Sequence, residues 1–440
     1  MNREKIWVKV RDSFWFLPTL YSLISIISVI LISFVDLWIV PQVQESMPKI
    51  FLTEKSVATT LYGSLITSIL TMTTISFSTI MVVLTTYSTQ FSPRTLQDFM
   101  KSRVTQHVLG VYSFGFIFAL VNLLLLGGTQ KKGLVSPFLT VVVSIICLGF
   151  FILFIHHSSR FLQVNNLIGD IRKTTSNVIA NTFKEKSYNE STEWDEKDLE
   201  SLKQNSQGVI FANESGYLQG MQMGLFIQWA VKNDLFIEAN TLIGDYIQKG
   251  MPLFYYWKED SSEEIKPEQA LQYIIVGNER TDIQDIEFSI QKLVEIAVKA
   301  ISPSINDPHT AVNCINRIGS LLAELGSVYE PIRYYADDSN NLRLKIEPRE
   351  FHDYLYTSFY QMRIYGSHDF SVMNGVIEAL YKISVVHDEK IKEDVWRFGR
   401  YMMKAVDTKS MDQLDFEYFD KQAQKLASAC NKTVQFPRPY

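Results

Sequence analysis

Residues 58–87 read ATTLYGSLITSILTMTTISFSTIMVVLTTY, a long run without one formal charge. At about 1.5 Å of rise per residue, a helix of this length exceeds the ~30 Å of a bilayer's hydrocarbon core. Its hydroxyls are not scattered. Thr60, Ser64, Thr67, Thr71, Thr74, Ser78 and, after a gap at Met81 and Val82, Thr85 advance mostly by fours and threes, the spacing that keeps side chains on one helix face. A spanning helix that is apolar on three sides and hydroxylated on the fourth needs polar company along its length. Within hydrocarbon that company is another helix's polar groups or water in a pore.

Three more apolar runs accompany it, 14–35, 107–127 and 134–155, so we expect an α-helical membrane protein with four transmembrane helices. Trp7, Trp15 and Trp38 bracket the first run as interfacial anchors do, and no small-residue cleavage site follows it. That favours a span over a cleaved signal peptide. Basic residues then set the orientation. Arg3, Lys5, Lys9 and Arg11 precede the first run, Arg94, Lys101 and Arg103 lie between the second and third, and Arg160, Arg172 and Lys173 follow the fourth. The positive-inside rule makes all three segments cytoplasmic. Residues 36–56 mix Asp36, Glu45 and Glu54 with Lys49 and Lys55 and read as external; Lys131 and Lys132 alone oppose the rule. The chain is thus expected to be a multi-pass protein of the plasma (inner) membrane with both termini in the cytoplasm.

The remaining composition narrows the function classes. With 42 basic and 47 acidic residues among 440, and a net charge of −5, there is no electrostatic case for nucleic acid. Cys147, Cys314 and Cys430 are far apart and odd in number, which argues against a disulfide or zinc framework. We expect a transmembrane domain over 1–160 and a helical extension and linker over 161–206, with the fourth helix running on through 161–183. A small β-rich domain over 207–258 and a helical cytosolic domain over 259–440 complete the α+β region. Gly244 and Gly250 bracket a strand turn that suggests the hairpin of a small barrel of lipoyl type, without the lysine-bearing attachment turn. Asp307 before Pro308 reads as cap and first residue of a helix.

Taken together, several motifs carry a resemblance. They are Ser88-Thr-Gln90-Phe91-Ser92-Pro93-Arg94 after the second run, Phe154-Ile-His156-His157 with Gln163-Val164, Gly277, Arg280-Thr281, Gln284-Asp285, and Ala300-Ile-Ser302-Pro303-Ser-Ile-Asn306-Asp307-Pro308 with Thr310-Ala311. On these the chain resembles the bacterial predicted membrane protein family known as domain of unknown function 2254, over nearly its whole length. The resemblance implies a four-span N-terminal region and a cytosolic remainder, and it brings no reaction, cofactor or catalytic residue.

Each candidate site has a structural and a functional reading. The hydroxyl line is either a packing seam of small residues or the lining of an ion path among identical helices. Packing would more naturally use Gly and Ala, and only Gly63 and Ala58 occur there. Gln90 and Arg94 stand at the mouth of that path, where Arg94 either anchors a surface helix or sets the field for passing ions. Arg280, Asp282 and Asp285 read as surface or interdomain ion pairs or as a small-anion or regulator site, and Asn306, Asp307 and His309 as a helix cap or a polar catalytic or regulatory cluster. His156 and His157 point about 100° apart on a helix, so they do not suit one metal. His368-Asp369 and His387-Asp388 sit at helix ends, poor positions for a metal hydrolase, and no phosphate-cradling loop, nucleophile elbow or zinc-binding helix is present. The expectation is a non-enzymatic homo-oligomer without cofactor. Its partners are the lipid bilayer, further copies of itself and inorganic ions, with an ion pathway lined by the second helix and gated by the cytosolic part. The alternative is a non-conducting membrane-anchored sensor or scaffold whose cytosolic domains bind a partner.

Overall fold

The structure is a computed structural model that describes residues 14–43, 45–90, 102–126, 133–183, 189–258 and 266–437. The chain divides into two compact units, Met1–Leu167 and Ile168–Tyr440. Among the described residues, four helices are long and apolar enough to cross a membrane.

These four helices make the first unit: α1 (Phe16–Val43), α2 (Lys55–Gln90), α3 (Arg103–Leu126) and α4 (Ser136–Phe161). The most apolar stretch of α3 is 50% buried, against 17–22% in the other three, so α3 is the centre post. Glycines allow the close approach. A Cβ on Gly110 would stand 2.5 Å from the Tyr21 ring of α1, and one on Gly115 would stand 2.7 Å from Cys147 Sγ of α4. The hydroxyl of Tyr62 on α2 donates to Ser136 Oγ at 3.0 Å and ties α2 to α4. The first helix outruns its expected end at 35. It continues through a π-helical turn, Val35–Ile39, that carries the buried Asp36. Asp36 accepts hydrogen bonds from the Val135 and Ser136 N–H groups at 2.9 and 3.3 Å, so a residue expected in a loop caps the start of α4.

In the second unit the expected continuation of α4 through 161–183 is instead a new helix, α5 (Val164–Thr182), that follows a break at Leu162 and Gln163. Arg172 pairs with Glu324, and Ser176 donates to the same carboxylate at 2.7 Å. The sheet elements follow: β1 (Asn189–Ser191), α6 (Glu196–Lys203), β2 (Ser206–Phe211), β3 (Gly216–Met221), α7 (Met223–Lys232), β4 (Leu235–Ala239), β5 (Tyr246–Ile247), β6 (Pro252–Lys258) and β7 (Ile274–Gly277). Then come α8 (Ile286–Ala300), α9 (Pro308–Val328), β8 (Tyr334–Ala336), β9 (Leu342–Lys345), α10 (Phe351–Tyr365), α11 (Phe370–Val385), α12 (Glu389–Met403) and α13 (Gln413–Ala429).

The strands form two open sheets, not a closed barrel. One has the order β1-β8-β9-β4-β6-β2, with β4 and β9 parallel, and the other has the order β5-β3-β7. The expected hairpin is divided between them, since β5 pairs with β3 while β6 pairs with β2 and β4. Gly244 and Gly250, at φ of +95° and +86°, let the chain leave one sheet and join the other. Strands β8 and β9 come from residues beyond 258, so the larger sheet draws on both sides of the boundary expected there. Alternation along β4 buries both its faces. Leu235 and Ile237 pack with Phe226 of α7 and Phe254, while Phe236 faces Trp257, Leu342 and Trp194. The helices after it are started by aspartates. Asp285, Asp307, Asp369, Asp388 and Asp412 each accept a backbone N–H at the start of α8, α9, α11, α12 and α13.

Candidate functional site

The seven hydroxyls of the α2 line occupy one side of the helix, while Ser76 is on the buried face. Each residue turns a helix by about 100°, so the buried Ala58, Tyr62, Ile69, Ser76, Ile80 and Val83 point one way. Thr60, Ser64, Thr67, Thr71, Thr74, Ser78 and Thr85 point about half a turn away, and all seven are exposed. Six of them donate to the carbonyl one turn back: Thr60 to Ser56, Ser64 to Thr60, Thr67 to Gly63, Thr71 to Thr67, Thr74 to Leu70 and Thr85 to Met81, at 2.8–3.3 Å. Thr59 and Ser68 do the same beside them and widen the face. Gly63 looks into open space, so the packing glycines of this unit are on α3. Arg94 lies outside the described residues, and so does the side chain of Gln90, which ends α2.

In the second unit, Arg280 and Asp285 meet in a buried pair, not in the surface or interdomain pairs expected, Asp282 pairs with Lys292, and the Arg280–Asp285 pair is part of a larger arrangement. Arg280 Nε and Nη2 reach Asp285 Oδ2 and Oδ1 at 2.8 and 3.0 Å, and Nη2 also reaches Glu287 at 3.2 Å. Arg349 binds Glu287 from the other side at 3.0 Å and Asp245 at 3.4 Å. The Asp285 side chain is 3% exposed, and burial pushes its carboxyl above the usual range against the pull of Arg280 and the Phe288 N–H. Gly244 makes room for the pair, because a Cβ there would lie 2.5 Å from Asp285 Oδ2. Sequence reasoning missed Glu287, Arg349 and the role of Asp245, whose spacing along the chain carries no periodic signal, and read Gly244 as a turn glycine only.

Asp285 and Glu287 form part of the wall of a cavity of about 820 Å³ that Thr241, Met223, Tyr329 and Tyr354 also line. Neither Asn306 nor Asp307 lines it. Asp307 caps α9, accepting from the Thr310 N–H at 3.1 Å and the Thr310 hydroxyl at 2.6 Å. These bonds, the hydroxyl's first, hold its carboxyl below the usual range. Asn306 stands at φ +51° and donates its N–H to the Ser302 carbonyl, a left-handed position that asparagine tolerates. Both are turn residues between α8 and α9. In the two His-Asp pairs, Asp369 and Asp388 cap helices, and His387 Nε2 lies 3.0 Å from the Ala323 carbonyl.

Residues 11–382 match the family described as "Predicted membrane protein (DUF2254)". The chain belongs to that family. Relatives include "Uncharacterized protein Rv1290c" and "Uncharacterized protein MT1328" of Mycobacterium tuberculosis and "Uncharacterized protein Mb1321c" of Mycobacterium bovis. Each is 26% identical over 319 residues, which cover 70% of this chain and 60% of the relative. The chain therefore spans less than two thirds of the length of these curated relatives. No solved structure matches.

Proposed function

We propose that the chain assembles as a homo-oligomer in the bacterial inner membrane, with both termini cytoplasmic and copies of α2 lining an ion pathway that the region beyond residue 160 gates. The proposed activity is conduction and not catalysis. One observation supports this reading: the hydroxyl line lies opposite the buried face of α2, so no described residue of the first unit covers it. The contrast with the neighbouring helices adds weight. The outward residues of α1 are Ile27, Ile30 and Leu31, and those of α4 are Ile145, Leu148 and Ile152, an ordinary lipid-facing surface. A face that departs from it over the length of one helix suits water or a second copy.

The non-conducting scaffold reading draws on a different observation. The hydroxyl donors are already spent on carbonyls of their own helix, and such a face can pack dry against its equivalent in another copy. Cysteine accessibility separates the two. In purified oligomers recorded in planar bilayers, single cysteines at Thr71, Thr74 and Ser78 should react with small water-soluble thiol reagents and change the current. Cysteines at the buried Ile69 and Ile80 should stay silent. A monomeric protein, or an oligomer that carries no current and protects all three stripe cysteines, overturns the pathway.

A further inference from the structure

The cavity in the second unit has a chemistry of its own, whatever the membrane helices do. Its volume of about 820 Å³ lies within the ~300–1,000 Å³ of small-molecule sites. Its walls are unequal in charge. Glu190, Asp285, Glu287 and Glu330 line it, and Arg349 is the one basic residue on the wall among the described residues. Counting Arg280, which pairs with Asp285 and Glu287, four carboxylates face two guanidinium groups, an excess of two. Both guanidinium groups are already engaged, since Arg349 is held by Glu287 and Asp245. An incoming anion would find neither of them free. Two helix ends deepen the negative field. Thr182 at the end of α5 and Val328 at the end of α9 both line the cavity. The last carbonyls of a helix lack partners within it and form its negative pole, and neither helix has a basic residue in its last turn to offset this. The starts of α7 and α8 act the other way, but Asp285 already caps α8 with its own charge.

The walls suit an organic cation and not a metal ion. Phe183, Tyr329 and Tyr354 line the cavity as a connected row, the Tyr329 ring standing edge to face with its two neighbours at centroid distances of 6.2 and 6.4 Å. Aromatic faces attract ammonium groups, and Leu218, Met221 and Met223 add apolar surface for the body that carries one. No group of three side chains suited to a metal ion occurs among the described residues. From the excess of carboxylates beside these rings we infer that the cavity binds an organic cation, an ammonium group on an apolar body, with Phe183, Tyr329 and Glu330 on the side that receives the charge.

(4-Benzoylbenzyl)trimethylammonium is such a molecule, and on irradiation its ketone inserts into neighbouring C–H bonds. With the full chain in a neutral detergent, its adducts should saturate and map by peptide mass spectrometry to residues 218–225 and 328–354. Neutral benzophenone and the anionic 4-benzoylbenzoate should each need roughly tenfold more probe to half-saturate the same peptides. Glu330 is exposed, so its charge can be changed with little effect on the fold. Glu330→Gln should weaken saturation by the ammonium probe about threefold and Glu330→Lys about tenfold, while Glu330→Asp keeps it. Phe183→Leu keeps an apolar side chain without the ring and should weaken it about threefold, leaving benzophenone unaffected. Labelling that does not saturate, that is as strong with benzophenone or the benzoate, or that is unchanged in Glu330→Lys overturns the inference.

Discussion

Asp307 and Asp285 start adjacent helices in opposite surroundings, and the difference shows in their chemistry. Asp307 is half-buried and spends its carboxylate chiefly on Thr310. Losing a cap of this kind costs about 1 kcal/mol, so Asp307→Ala should lower the thermal stability of the full chain at pH 7 by that order. Asp307→Ser and Asp307→Asn should retain most of it. The folded carboxyl titrates below its unfolded value of about 3.9. Its contribution is therefore complete above roughly pH 4 and is lost as pH falls through the folded value. The gap between wild type and Asp307→Ala should close on acidification, and thermal melts from pH 7 to pH 3 check it. This cap was legible in the sequence because all of it lies within four residues. The Arg280–Asp285 pair spans only six residues, but its burial was not legible, because Asp245 and Arg349 arrive from distant segments.

Whole elements were legible where a period was long enough to repeat. The four apolar helices declare themselves by composition and length, and the helical character of most of 259–440 by spacing. Strands β1, β7, β8 and β9 have three or four residues each, too few for a period of two to stand out. The barrel expectation failed for a related reason: the two glycines mark a turn in the chain, while the partner of each strand is chosen by segments far from it. The end of α1 was misplaced because a charge in an apolar run looks like an exit from the bilayer. Asp36 stays buried because the start of α4 supplies two N–H groups. Asp36→Ala should therefore lower the thermal stability of the purified protein by about 1 kcal/mol, with Asp36→Asn in between. An unchanged melt would mean that these bonds contribute nothing.

For the whole molecule, the orientation expected from the basic residues at three span ends is open to direct test. Cys147, Cys314 and Cys430 are buried, so a version with serine at these positions can carry reporters. A cysteine at the exposed Ser46 should be labelled by an impermeant thiol reagent in intact cells, and one at the exposed Ser339 only after lysis. Labelling at Ser339 in intact cells would reverse the orientation. The larger sheet bears on how such a protein is made. Strand β4 pairs in parallel with β9, Ile237 with Leu344, so β4 leaves the ribosome long before its neighbour exists. At ~5–20 residues per second, its edge stays open for roughly 5–20 s of synthesis. An unpaired edge with apolar residues on both faces invites a strand from another nascent chain. Ribosomes crowded on one message at a membrane would bring such edges together, and the yield of this protein should be more sensitive to the speed of translation between residues 239 and 342 than anywhere else along its message.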